Sequence, residues 1–189
     1  MRKGESLGIY FDALYQITLR VSSSLDLSDV LGYLTEEAAK AISAKASSVR
    51  LLDAEGERLE MAAVYGLSEE YLNKGPVVLA RSKIDQEILA GNATQLDNVA
   101  HDPSFQYPGE ASREGIVSVC SVPLIAHGKP IGVLRVYSDR RRTFDETEMK
   151  FLVAVGDLAA LSIDNARLYS EMRQNYEDTM NTLWGESPV

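Results

Sequence analysis

The sequence predicts an α+β domain: one antiparallel sheet with helices at both ends of the chain. Three observations carry this. Period-two apolar runs gather in the middle of the chain, at Ala46–Tyr65 and Val117–Ser138. Helical spacing instead fills the residues up to Ser43 and those after Glu146. Strands bracketed by helices, rather than alternating with them, favour an antiparallel sheet over βαβ units.

The first helix is expected around Ile9, Leu14, Ile17 and Val21, which lie near one helical face with Tyr10 and Leu25 at its edges. Ser22-Ser23-Ser24 ends it. Asp26 or Ser28 caps a second helix, Leu27 to Ser43, with Val30, Leu31, Leu34, Ala38, Ala41 and Ile42 inward. From Ala46 the period drops to two, and Gly56 sits in the turn Asp53–Glu57. Ala46–Tyr65 therefore reads as a β-hairpin that Gly66 stops. Ser68 caps a helical turn through Tyr71, and Gly75-Pro76 breaks the chain. Ser82–Ala90 is a short helix capped by Ser82 and stopped by Gly91-Asn92, and Thr94–Val99 is a short strand.

His101–Gly115 is turn-rich, with two prolines, two glycines, Phe105 and Tyr107. An irregular segment of this kind inside a domain is more often functional than a plain connector. Val117–Ala126 and Pro130–Ser138 are the strongest strands, joined by a tight turn at His127-Gly128-Lys129. The count is five or six strands. Arg140-Arg141-Arg142 reads as a solvated turn into a final helix, Glu146 to Leu183, capped by Thr143 or Asp145.

That helix has two parts. Phe151–Ile163 is apolar on most faces and is expected to pack on the sheet. Beyond it, Tyr169, Met172, Tyr176, Met180 and Leu183 form a narrow seam among polar residues, the pattern of a coiled-coil interface. The alternative is a helix folded back on its own domain. Pairing with a second chain, a homodimer, is the favoured reading.

Composition narrows the function. The 189 residues carry 19 basic and 28 acidic side chains, a net charge of −9, which argues against direct nucleic-acid binding. One Cys forms no intrachain disulfide, and one Cys with two His builds no Cys-rich zinc site. Met1–Leu7 leads into no apolar signal region. The longest uncharged stretch, Gly115–Gly128, is too short to span a bilayer, so no membrane association is expected and the expected location is cytoplasmic.

Four strings in order resemble the GAF domain family. SVPLIAHGKPIGVLRVYS (Ser121–Ser138) is similar to its closing hairpin. SSSLDLSD (Ser22–Asp29) resembles its opening helix junction, and LLDAEGERLEMAAVYGLS (Leu51–Ser68) its first hairpin. NARLY (Asn165–Tyr169) resembles its exit helix. The resemblance covers about residues 10 to 170. It implies a GAF/PAS-like fold: a central antiparallel six-stranded sheet with the N- and C-terminal helices on one face and loops and short helices on the other. It also implies a division into an N-terminal extension (1–8), the GAF domain (9–166), and a coiled-coil-like exit helix with a tail (167–189). Such domains bind cyclic nucleotides, bilins, haem or small metabolites, and fold alone does not choose among these.

In that frame the segment between Asn98 and Ser118 walls a ligand pocket. Asp102, Phe105, Tyr107, Arg113 and Glu114 are candidate aromatic walls and polar anchors. Equally, Phe105 and Tyr107 can simply pin the loop, with Arg113 and Glu114 in solvent. Ser118, Cys120 and Tyr65 are candidates for the pocket floor. Cys120 has apolar strand neighbours that favour an inert buried thiol over a covalent or redox role. His101 and His127 sit in turns, poorly placed for haem. Asn73-Lys74 and Phe144-Asp145-Glu146 contain letters of the cyclic-nucleotide signature without its spacing. Sulfoxide-reducing members of the fold use several cysteines, and this chain has one.

The expectation is a non-enzymatic sensory domain. It binds a small ligand of unspecified identity and relays a signal through the terminal helices of a dimer, to a kinase, cyclase or transcription-regulator module. The sequence names no cofactor. The alternatives are a ligand-free dimerisation or spacer module and a redox sensor acting through Cys120.

Overall fold

The structure, a computed structural model, describes residues 3–24 and 26–184, with side chains described for 6–24 and 26–182. Expectations that fall on Leu25, on the tail 185–189 or on the Leu183 side chain lie outside the described residues.

Two helices open the chain, α1 (Lys3–Ser23) and α2 (Leu27–Ala41). Asp26 is the cap of α2: its carboxylate accepts from the Asp29 N–H, and Asp29 in turn pairs with Arg20 of α1 at 2.5 Å. The hairpin follows as β1 (Ala46–Leu52) and β2 (Arg58–Tyr65). Then come α3 (Glu69–Leu72), β3 (Val77–Val78), α4 (Lys83–Leu89), β4 (Thr94–Leu96) and α5 (Pro108–Glu114). The second hairpin is β5 (Ser118–Ala126) and β6 (Lys129–Ser138), and α6 (Glu146–Trp184) closes the chain. A reciprocal capping box starts α6. Asp145 accepts from the Thr147 and Glu148 amides, and Glu148 accepts from the Asp145 amide.

The strands make one six-stranded sheet in the order β3-β2-β1-β6-β5-β4, with every neighbouring pair antiparallel. The fold is the α+β arrangement expected. Strand alternation gives each face its own core. On one face Val49, Cys120, Val122, Leu134 and Val136 meet Ile17 of α1, Leu31 and Leu34 of α2, and Leu152, Val155 and Ala159 of α6. The other face carries Leu59, Val119, Val133 and Tyr137 under Ile84 and Ile88 of α4, with Val99, Phe105 and Ile116. Tyr10 stacks on Phe151 at 4.9 Å, joining α1 to α6.

Two glycines mark close approaches. A Cβ on Gly132 would lie 2.3 Å from the Arg50 carbonyl oxygen, so only glycine fits that point of β6. A Cβ on Gly156 would lie 3.2 Å from Val122 and 3.3 Å from the Pro123 carbonyl, which is how α6 seats closely on β5.

Several expectations are corrected. The segment expected to be irregular folds at its end into α5, with Pro108 at its first turn and Gly115 in the left-handed C-cap at φ 74°. The strand expected from Thr94 to Val99 stops at Leu96, and Val99 begins a 3-10 turn. Ile9 is exposed, because the inward face of α1 is Tyr10, Ala13 and Ile17. Arg142 is not solvated: it pairs with Glu148, donates to the Ile42 carbonyl at 3.0 Å and lies over the Phe144 ring.

Candidate functional site

The register of the central strands assembles a polar cluster on the face away from the terminal helices. Ser48 of β1 stands opposite Arg135 of β6, and Arg135 stands opposite Ser121 of β5. Residues opposite one another share a face, so these three point together, with Arg50 two positions along β1. The register between β1 and β2 slips at Val49/Arg50, a bulge beside the cluster.

Arg135 is 5% exposed and is paired with a carboxylate. Its Nε donates to Ser121 Oγ at 2.7 Å and its Nη2 to Asp85 Oδ1 at 2.7 Å, with Phe105 alongside. Asp85 comes from α4 and is 1% exposed. Ser82 stands at the N-cap of α4, yet its hydroxyl donates to Asp85 Oδ2 at 2.6 Å rather than capping the helix. Burial opposes the charge on Arg135, but Asp85 together with Tyr137 and Tyr71 outweighs it, and the guanidinium holds its proton more tightly than usual. Tyr137 exchanges a 2.9 Å hydrogen bond with Ser48 and meets Tyr71 edge-on.

Arg50 differs. It is 4% exposed, and its one hydrogen bond among the described residues runs from Nη1 to the Leu59 carbonyl at 3.2 Å. Among the described residues no carboxylate pairs with it. A third cation, Lys74, lies 3.6 Å over the Tyr71 ring and donates to the Tyr71 carbonyl. Burial, then Arg50 and Arg135, push its pKa down to about 7. Arg50, Arg135, Asp85 and Lys74 all line one cavity, walled by Phe105 and Tyr107. The free space is about 10 Å³, room for one water. Two hydrogen bonds tie the lining residues Gln106 and Tyr107 to the segment before α4: the Val78 N–H donates to Gln106 Oε1 at 2.9 Å, and the Tyr107 hydroxyl to the Pro76 carbonyl at 2.8 Å. Parting them costs roughly 0.5–1.5 kcal/mol per bond.

Of the residues singled out from sequence, Phe105 and Tyr107 reach this cavity. Asp102 instead holds its own turn, accepting from the Ser104 amide at 2.8 Å. Arg113 and Glu114 line a separate surface cleft of about 60 Å³ beside α3. Arg113 is exposed and pairs with Glu110 at 3.3 Å, while Glu114 accepts from Ser68 and pairs with Lys45 at 3.4 Å. Burial opposes the Glu114 charge, but the Ser68 hydrogen bonds and Lys45 hold its pKa below the usual carboxylate range.

Ser118, Cys120 and Tyr65 lie on the helix face of the sheet. Ser118 donates to the Arg140 carbonyl, and Tyr65 stands opposite Ser47, whose hydroxyl bonds to α2. Cys120 packs against Met149 of α6, where burial pushes its thiol up to about 12. The thiolate that redox chemistry needs is therefore scarce at neutral pH. His101 is exposed, and His127 is exposed at the hairpin tip with Nε2 2.9 Å from Asp164 of α6.

Sequence reasoning missed Arg50, Arg135, Asp85 and Lys74. One signal was present: Arg50 and Arg135 each interrupt an apolar run in an expected strand.

On the helix face, α6 leaves the body. Tyr169, Met172, Tyr176 and Met180 are exposed, as is every residue from Arg167 to Thr182, so this stretch does not fold back on its own domain. A second exposed apolar stripe, Leu7, Phe11, Tyr15 and Leu19, runs along α1. No described helix is long and apolar enough to cross a membrane.

Comparison with known proteins gives a consistent picture. The family whose sequence model matches residues 24–164 is described as GAF domain. The chain is 24% identical over 169 residues to an uncharacterised sensor-like histidine kinase of Chloroflexus aurantiacus, covering 89% of this chain and 27% of that protein. It is 22% identical over 171 residues to the formate hydrogenlyase transcriptional activator of Salmonella typhimurium, covering 87% of this chain and 24% of that one. The chain thus spans about a quarter of the length of these curated relatives. Among solved structures, the GAF domain of an Acinetobacter phosphoenolpyruvate-protein phosphotransferase superposes with a TM-score of 0.73 at 25% identity, over 89% of this chain and 97% of that one. The free methionine-R-sulfoxide reductase of Neisseria meningitidis shares the fold with a TM-score of 0.71 at 21% identity, over 85% and 91%.

Proposed function

The chain belongs to the GAF domain family, and on that premise we propose that it is a sensory module that binds a small metabolite in the cavity lined by Arg50 and Arg135. Its relatives are sensor kinases and transcriptional regulators, and members of the family are in general regulatory modules. In this reading residues 9–166 sense and the exit helix from 167 carries the signal, through a homodimer, to a kinase, cyclase or transcription-regulator module. The domain acts without catalysis.

The observation that carries the reading is a buried, polar, incompletely paired cluster on the same central strands whose other face seats α6. Ligand entry would part the hydrogen bonds of Gln106 and Tyr107 to Val78 and Pro76 and reorder the segment from Asn98 to Ser118. A shift of β5 and β6 would then bias the seat of α6, a two-state element of the kind signalling requires. The test is a thermal-shift screen of the full chain against metabolite pools. Ligands that bind only the folded state raise the midpoint. A pool that shifts it supports the reading, and no shift from any pool overturns it.

One observation favours a second reading, a ligand-free spacer: the cavity holds only about 10 Å³ of free space. A spacer predicts no response in the same screen.

A further inference from the structure

We infer that the ligand of this cavity is a small organic carboxylate, received by the Arg50 guanidinium beside the Arg135–Asp85 pair and covered by the Lys74 ammonium. The inference rests on the sensory reading above and names its ligand class. Three cationic side chains line the cavity, against one carboxylate, Asp85. Asp85 is consumed by Arg135 and Ser82. That leaves Arg50, nine-tenths buried, with one backbone acceptor among the described residues for its five N–H donors.

A buried cation without a counter-charge is costly to the fold, so its persistence points to a counter-charge supplied from outside. The site sits inside a chain of net charge −9, so the local excess is not a by-product of composition. A planar carboxylate fits the fork of a guanidinium with two parallel hydrogen bonds. The space is small, so the ligand would have to draw the Lys74 ammonium away from the Tyr71 ring and carbonyl that now hold it. Phe105 and Tyr107 offer apolar cover to a short carbon chain. The surplus of one or two positive charges matches a mono- or dicarboxylate.

The test is thermal unfolding of the full chain at pH 7 and constant ionic strength with acetate, succinate, glutarate and inorganic phosphate. Acetamide and succinamide serve as neutral isosteres. At saturating concentration at least one carboxylate raises the midpoint by about 2 °C or more, and the matching amide does not. Arg50→Met removes the shift while leaving the unliganded midpoint equal to or above that of the wild type, because the unmatched charge has gone. Equal shifts from carboxylate and amide, or a shift retained in R50M, overturn the inference, as does a response to phosphate alone. Should R50M fail to fold, Lys74→Met decides: a weakened carboxylate shift sustains the inference and an unchanged one overturns it. If a neutral metabolite binds and no carboxylate does, the ligand class is wrong while the sensory reading stands. If nothing binds, both fall.

Discussion

At Lys74, burial and like charge act in the same direction. Desolvation comes first, then Arg50 and Arg135, and together they outweigh the opposing pull of Glu110 and Glu114; the pKa falls from 10.5 to about 7. Between those two values the unfolded chain holds a proton that the folded chain does not. Lys74 therefore contributes stability that is full above the unfolded value and is lost as pH falls through the folded one. Relative to Lys74→Met, wild-type stability is expected to rise from pH 7 to pH 10 and stay flat below about pH 6.5, measured as denaturation midpoints for both proteins across that range. A flat difference throughout would show that Lys74 is solvated. The residues around it were hard to read from sequence for a definite reason. Arg50 and Arg135 sit at alternate strand positions, and alternation with polar residues normally marks the wet side of a sheet. Here that side is covered by α4 and the Phe105 segment, and only tertiary contact separates a wet arginine from a buried one.

The helices and hairpins were legible where period and punctuation agreed. The first hairpin lies where the sequence put it, Ala46 to Tyr65, because two period-two runs flank a glycine turn. Two elements were not legible. β3 is two residues long and has no period to detect, and it forms because Val77 and Val78 meet Leu59 and Arg58 across the sheet. The start and stop signals of α5, Pro108 and Gly115, were present but were outweighed by the other turn residues around them. The first half of the exit helix packs on the sheet as expected, and Tyr169, Met172, Tyr176 and Met180 are exposed along the part that leaves the body. The pairing proposed for it gives a direct expectation. If Met172 and Tyr176 meet a second copy, light scattering of the wild type reports a dimer, and the double variant Met172→Glu, Tyr176→Glu reports a monomer. A wild type that is monomeric at high concentration removes the homodimer from the proposal.

For the whole molecule, the governing fact is that one sheet serves two cores. Leu134 and Val136 belong to the helix side, while Val133 and Tyr137 belong to the cavity side, on a single strand. Damage to the strand plane should be felt by both layers together. Gly132→Ala sets a methyl group 2.3 Å from the Arg50 backbone carbonyl oxygen, with the Leu51 and Leu124 side chains at 3.1 and 3.2 Å, so the strand itself must shift to relieve it. It is expected to cost at least about 1–3 kcal/mol, seen as one cooperative transition at a lower midpoint by circular dichroism and by tyrosine fluorescence alike. Two separated transitions would mean that the layers unfold independently. The α6 helix adds a mechanical consequence. It has 39 residues and grips the sheet at its first half only. Its free half, about 20 residues at 1.5 Å each, is an arm of about 30 Å. A tilt of about 10° at the point where this free half leaves the sheet would therefore sweep the far end through about 5 Å, close to one full helical pitch. On the proposed relay the helix would act as a gear, returning a small tilt at the sheet as a displacement of about one turn at the tip.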